Sequence, residues 1–481
     1  MTRRFDLKPL FEPKGVVVAG ASTHPGKFGF VALHNVLSAG FDGPIFATNR
    51  DLPEILGVQT TASVADIPDN VADLVMVCAP GPAIPEVLRE SAAKGIRAAF
   101  IVSGGFRELG DDGLALENEV VALAAELDMV LAGPNGQGLV STPDRLWSQI
   151  VAPYPPQGRI GIASQSGNLV STVMNLARQA NIGISRAVSA GNQAMIDIAD
   201  YVYYMADDPE TAVIIVYVEG VPDGRRFFDA IRAATALKPV IVVKGGVSDA
   251  GARAAASHTG SLATNDRVFD GLLSQAGAIR VRGVDTAYSL ASAFATMPAP
   301  TGPNTVVLTT AGGWGVLTSD AIADSRLELK DLPTDLHDAI GELVPPRWSR
   351  SNPVDLAGGE TRDTIPLVLD LIASHRDVDA LIYLGLGIQG NTARAYRESP
   401  FMPNEGMERM ATFHERQEVR YGTAAVDVSR RTGKPVVVAS ELGTADPANP
   451  GIEALHGLGW PCFDSPLSAI TALDAMWQYS R

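Results

Sequence analysis

Short runs of Val, Ile and Leu alternate with Ala/Leu/Glu-rich amphipathic stretches along the whole chain. "GVVVAG", "GPIFATN", "LVMVCAP", "AAFIVSG" and "DMVLAG" read as strands, with helix-like segments between them. That alternation predicts an α/β fold of parallel sheets with crossover helices. The strands fall into three sets. The first fills residues 1 to about 145 and is followed by "TPDRLWSQIVAPYPPQG", whose four prolines read as a linker. The second runs from "RIGIASQSGNLVSTVMNLARQA" through "TAVIIVYVEGV" and "KPVIVVKGG" and stops before the Pro-rich "MPAPTGPN". The third runs from "TVVLTTAGGWGVLTSDAIA" through "VDALIYLGLG" and "KPVVVASELG" to the C-terminus.

Each set opens with a strand, a Gly/Ser turn and a helix: Gly20-Ala21-Ser22, Ser164-Gln165-Ser166-Gly167 and Ala311-Gly312-Gly313. Such turns aim unpaired N–H groups and the positive helix end above the sheet, where an anion is the natural occupant. A tight strand-to-helix turn also needs small residues for its own sake. The repetition, more than any one turn, points to phosphate chemistry.

Composition narrows the classes. A chain of 481 residues, 46% of them hydrophobic, is long enough for about three domains. Lys and Arg number 38 against 54 Asp and Glu, a net charge of −16, and no basic block interrupts that balance. This disfavours nucleic acid and anionic membranes as partners. Cys78 and Cys462, the only cysteines, lie far apart and have no metal-ligand spacing, so they read as two buried thiols. No apolar run reaches the ~18 residues of a membrane span and no signal peptide is evident, so a soluble, cytoplasmic protein is expected.

The first turn, "GASTHPGKFG", has Ser22 where the dinucleotide fingerprint G-x-G-x-x-G has its second glycine. The next strand ends in Asn49-Arg50 rather than in an acidic residue for a ribose 2′-hydroxyl. An NAD(P)-dependent oxidoreductase is therefore a poor match. A basic residue there suits a ribose bearing a phosphate. Coenzyme A carries a 3′-phosphate and a pyrophosphate, which Arg50 and the Gly20 turn with Lys27 would meet, although charge and position alone favour reading Arg50 as a solvated loop charge. A serine-hydrolase reading of "IASQSGN" fails because Ile162 and Asn168 stand where the G-x-S-x-G frame needs glycine. Ser164 and Ser166 remain open between helix capping and phosphate binding.

Taken together, "GASTHPGKFG…GFDGPIFATNR", "GPNGQGL", "ASQSGNLVSTVM", "GNQAMIDIADYV", "YVEGV", "KGGVSDAGARAAASHTGSLA" and "AGGWGVLTSDAI" resemble the α subunit of the NDP-forming acyl-CoA synthetases, the ADP-forming acetate–CoA ligase branch in particular. The resemblance covers nearly the whole chain. It implies a Rossmann-like CoA-binding domain (1–145) and two flavodoxin-like domains (157–298 and 303–481). It implies CoA contacts at Gly20, Ser22, Lys27, Asn49, Arg50, Pro80 and Asn135, and phosphate contacts at Ser164, Ser166, Gly167, Gly312 and Gly313. In this family the histidine of the S-H-T-G-S segment is phosphorylated, and His258 stands there, with Glu219 in the place of the carboxylate that orients it. Histidine stores a phosphoryl group as a reactive phosphoramidate, and a carboxylate on one imidazole nitrogen leaves the other free to attack phosphorus. His24, in the first turn, is a further candidate for touching CoA, and the remaining five histidines read as structural.

Two features depart from the family. Gly136 stands where the family has cysteine in G-P-N-C-x-G, beside the expected CoA thiol. No segment resembles an ATP-grasp domain. The resemblance thus implies a hetero-oligomer with an ATP-grasp β subunit that holds ATP/ADP and Mg²⁺, acting on a small carboxylic acid. The competing reading is a non-catalytic CoA-binding regulatory protein of the same fold.

Overall fold

The computed structural model describes residues 5–151, 153–251, 253, 265–358, 362–444 and 446–481. His258 lies outside them. The chain divides into two compact units, one of residues 1–178 with 183–288, the other of residues 289–481 with 179–182.

The first unit holds two sheets. In the first, five parallel strands lie in the order Ile45–Thr48, Val16–Ala19, Leu74–Val77, Ala98–Ile101, Val130–Ala132. The second has the parallel order Ile184–Ser189, Gln157–Ser164, Val213–Val218, Val240–Lys244, Ile279–Val281. The second unit repeats that order with Val354–Asp355, Thr305–Thr309, Ala380–Leu384, Val436–Ala439, Cys462–Phe463. Each sheet is therefore wound both ways from its first strand. The topological switch point, where ligands of open α/β sheets bind, lies beside the end of that strand. All three Gly/Ser turns follow those first strands.

Strand alternation decides how the first two sheets combine. Val17, Val75, Ala99 and Leu131 point into one core, whereas their neighbours Val16, Val18, Leu74, Met76, Ala98 and Phe100 point into another. The second core also receives Ala163, Val188 and Val216 from the second sheet and Tyr201 from the helix Ile198–Asp207, so the two sheets share a core. This is why two sequence sets form one compact unit.

The expected linker is partly structured, and the boundary expected at 145 falls inside it. Leu146–Gln149 pairs antiparallel with Gly138–Ser141, which pairs antiparallel with Ile184–Ser189, so this ribbon extends the second sheet. Burial of Leu139, Val140 and Leu146 drives the pairing, and Trp147 stacks on Tyr154 at 3.9 Å between ring centroids. Pro143 in its turn and the three prolines that follow it give the stretch the look of a linker in the sequence. Among the described residues no helix is long and apolar enough to cross a membrane.

Candidate functional site

At the first switch point the chain opens into a cleft of about 820 Å³. Its walls include Gly20, Ser22, Lys27, Asn49, Arg50 and Pro80. Gly20 has φ +86°, a region costly for other residues, and a Cβ on Gly29 would lie 2.1 Å from Gly20 O. These two glycines let the helix Phe28–Ser38 start directly against the end of the first strand. Lys27 and Arg50 are exposed on the cleft wall and make no ion pair among the described residues.

The other members of the set have structural work. Asn49 donates from Nδ2 to Ala21 O at 2.8 Å and accepts from Asp51 N at 2.9 Å, so its side chain shapes the turn. Ser22 Oγ accepts from His24 N at 3.1 Å, which leaves its hydroxyl hydrogen free. His24 is not in the cleft wall; its Nδ1 accepts from Gly26 N at 3.0 Å and braces the turn from outside. Cys78 also lines the cleft; like Cys462 it is half-buried as a residue, with its thiol inside as expected. Burial pushes the Cys78 thiol up to about 12. Phe28, 52% exposed in the same wall, was not singled out by sequence; an aromatic directly after a Gly-rich turn was the available signal.

The far end of the cleft leads to the second sheet. Gly104 lines the cleft, and a Cβ there would lie 3.1 Å from Glu108 Oε1 and 3.3 Å from Asn135 Oδ1. Asn135 itself stands just beyond that wall in the left-handed region, φ 58°. It donates to Asn192 Oδ1 at 3.4 Å, and Asn192 donates to Glu108 at 2.7 Å and to the buried Glu117 at 3.0 Å. Burial acts to raise Glu108, but hydrogen bonds from Asn192, Gly105 and Phe106 outweigh it and hold the carboxyl below its ordinary value. "GPNGQG" and "GNQAM" are thus tied together.

Gly136 has a packing reason. A Cβ there would lie 2.5 Å from Ser189 O and 2.8 Å from Phe100 Cζ, so the family cysteine has no room in this backbone. Gln137, next along, reaches the helix Gly167–Ala180: a Cβ on Gly167 would meet its Cδ at 2.0 Å. Among the described residues Gln137 Oε1 is buried without a hydrogen-bond partner.

At the second switch point, Ser164 Oγ accepts from Ser166 N at 3.0 Å and donates to Ser166 O at 2.7 Å. Its hydroxyl closes the turn. Thr309 does the same for Ala311, at 3.0 and 2.9 Å, ahead of the helix Gly312–Ala323 in the second unit. Both helices begin three residues after that hydroxyl. What remains for an anion is backbone N–H, at Gly167 in one turn and at the exposed Gly312 and Gly313 in the other.

Glu219 is held from several sides. Gln165 Oε1 accepts from Glu219 N at 2.5 Å and from Gly220 N at 3.3 Å, while Nε2 donates to Gly220 O at 2.7 Å. The Glu219 carboxylate accepts from Tyr217 OH at 3.2 Å, and Lys244 Nζ donates to Glu219 O at 2.8 Å. Burial pulls Lys244 below its ordinary value, and burial with the Glu219 charge pushes Tyr217 up. Gln165, Tyr217 and Lys244 were not assigned roles from sequence. The segment bearing His258, outside the described residues, follows the strand Val240–Lys244, and the described chain resumes at Asn265, which caps the helix Asp266–Ala276.

Family models match along the chain: a CoA binding domain at 14–141, a succinyl-CoA ligase like flavodoxin domain at 157–294 and a ligase-CoA domain at 305–387. The chain is 35% identical over 480 residues to the alpha subunit of acetate–CoA ligase (ADP-forming) I of Pyrococcus furiosus, covering 99% of this chain and 98% of that one. It is 34% identical to the acetate–CoA ligase (ADP-forming) of Methanocaldococcus jannaschii, over 75% of this chain and only 50% of that protein. Among solved structures, the dinucleotide-forming acetyl-coenzyme A synthetase 1 of Ca. Korarchaeum cryptofilum, in complex with phosphate and ADP, superposes with a TM-score of 0.85 at 31% identity, over 99% of this chain and 97% of that one. With models of a CoA binding domain, a succinyl-CoA ligase like flavodoxin domain and a ligase-CoA domain matched in order and full-length similarity to such a subunit, the chain belongs to the family of ADP-forming acetate–CoA ligases, as an alpha subunit.

Proposed function

We propose that this chain binds CoA and carries phosphate in the reversible reaction acid + ATP + CoA to acyl-CoA + ADP + phosphate. The observation that carries this reading is the cleft at the first switch point, which gathers the Gly20 turn, two free cations and an exposed aromatic ring, and then leads through Asn135–Gln137 to the Gly167 helix start. The CoA pyrophosphate sits at the start of the Phe28–Ser38 helix with Lys27. Arg50 takes the 3′-phosphate, and Phe28 offers a face to the adenine. The thioester end then reaches the region of Gly136 and Gln137.

In the direction of ATP synthesis, phosphate held over the Gly167 N–H attacks the thioester carbonyl. The C–S bond breaks and the thiolate leaves, giving acyl phosphate. One imidazole nitrogen of His258 then attacks phosphorus, the carboxylate leaves, and the phosphohistidine results. Glu219 holds the other nitrogen, and its own backbone is fixed by Gln165 and Lys244. The turn at Gly312 and Gly313 is a second N–H cradle of the same design. Transfer between His258 and nucleotide requires Mg²⁺-bound triphosphate in line with the imidazole. That work falls to an ATP-grasp partner in a cytoplasmic hetero-oligomer. Gly136, the residue that argues for a non-catalytic relative, is explained by its packing against Ser189 and Phe100.

The purified chain, mixed with acyl phosphate and CoA, is expected to form acyl-CoA, and to do nothing with acid, ATP, Mg²⁺ and CoA. Robust ATP-dependent turnover by the chain alone would refute the need for a partner.

A further inference from the structure

In the second unit, a cleft of about 430 Å³ is lined by Arg362, Arg409, Arg416, Arg420, Phe413 and Gln417. Four guanidinium groups around one hollow are unexpected in a chain of net charge −16. All but Arg362 stand on the helix Glu405–Thr432, at spacings of three, four and seven that place them on one face.

Three acidic residues of that helix are engaged elsewhere. Glu408 and Glu415 pair with Arg397 at 3.1 and 2.5 Å, and Glu418 accepts from Gly387 N and Gly390 N at 2.8 and 2.5 Å. Arg420 pairs with Asp363. Among the described residues Arg362, Arg409 and Arg416 make no ion pair, and Gln417, only 4% exposed, makes no side-chain hydrogen bond. The ring of Phe413, 45% exposed, lies among the cations.

From Arg409 to Arg420 the helix rises about 16 Å, at ~1.5 Å per residue. Charge spread over that length exceeds what one phosphate neutralises and suits a chain of phosphates joined to a flat base. We propose that this cleft is a second ligand site, separate from the CoA cleft, for a nucleoside di- or triphosphate. The phosphates lie on Arg409 and Arg416, the base packs on Phe413 and the Gln417 amide hydrogen-bonds to it. The volume falls in the range of roughly 300–1,000 Å³ found for small-molecule sites.

Equilibrium dialysis of the full chain with labelled ADP tests this. Wild type is expected to hold one more equivalent of ADP than Arg409→Gln/Arg416→Gln, with at least a tenfold weakening at that site, while the double variant keeps its melting temperature and its CoA affinity. Phe413→Ala, which leaves the charges intact, is expected to weaken ADP several-fold and leave pyrophosphate unchanged. Equal ADP binding by wild type and a folded double variant would overturn the site. Pyrophosphate binding as tightly as ADP to wild type would overturn its assignment to a nucleotide.

Discussion

Gln165 Oε1 accepts a hydrogen bond from Glu219 N at 2.5 Å, so a side chain of the second anion turn fixes the backbone from which the proposed histidine-orienting carboxylate projects. Turn and carboxylate are thereby one rigid assembly. Gln165→Leu is expected to slow phosphoryl transfer between acyl phosphate and the protein by about 10–100-fold, in line with the cost of ~1 Å misplacement at a reacting centre. CoA affinity, measured by calorimetry, should not change, because the first cleft is untouched. A parallel loss of CoA binding would mean that the substitution disturbs the fold.

Arg50 has no ion-pair partner among the described residues and lines the first cleft, the proposed CoA site. Arg50→Glu is expected to weaken CoA binding at least tenfold by calorimetry, since one charge-assisted contact is lost and a repulsion gained. Dephospho-CoA, which lacks the 3′-phosphate, should bind wild type and variant within about twofold of each other. Equal losses with both ligands would remove Arg50 from the 3′-phosphate site.

Gly136 is packed too closely for a side chain. Gly136→Cys, which restores the family residue, must displace Ser189 O or the Phe100 ring. Overpacking of this kind costs about 1–3 kcal/mol. The first unit should melt several degrees lower by calorimetry; an unchanged melting temperature would show that the loop yields easily.

The fold was legible because buried parallel strands leave a plain sequence record: Val- and Ile-rich runs ending at glycine or serine. The first cleft was legible for the same reason, since Gly20, Lys27 and Arg50 occupy turn positions whose geometry follows from strand ends. What was hidden depends on where side chains point. Ser164 stands where a ligand-binding serine would, and only the structure shows its hydroxyl closing the turn on Ser166. Asn49 is hidden in the same way, its amide bracing Ala21. The 138–149 ribbon was concealed by Pro143 in its turn and by the three prolines that follow it. Arg362 stands far upstream of the helix whose arginines it joins.

Glu418 is fully buried, and burial pushes its carboxyl up to about 7 despite hydrogen bonds from Gly387 and Gly390. The folded state therefore holds this proton more tightly than the unfolded chain does. Stability of the second unit should fall as pH rises from about 4.5 through about 7, by on the order of 3 kcal/mol. Glu418→Gln should flatten that part of the profile. Denaturant unfolding at pH 5.5 and 8.5, buffer values set at about one to two units either side of the folded value, reads the difference. A slope shared by wild type and variant would assign it to another group.

The central claim is that His258 carries the phosphate. The purified chain is incubated with a panel of short-chain and aryl acyl phosphates labelled in the phosphate, and the protein is then recovered and treated with acid or alkali. The account predicts label on the wild-type chain that acid removes and alkali does not, with none on His258→Asn. Full labelling of His258→Asn, or a wild-type chain that takes label from no acyl phosphate, would contradict it.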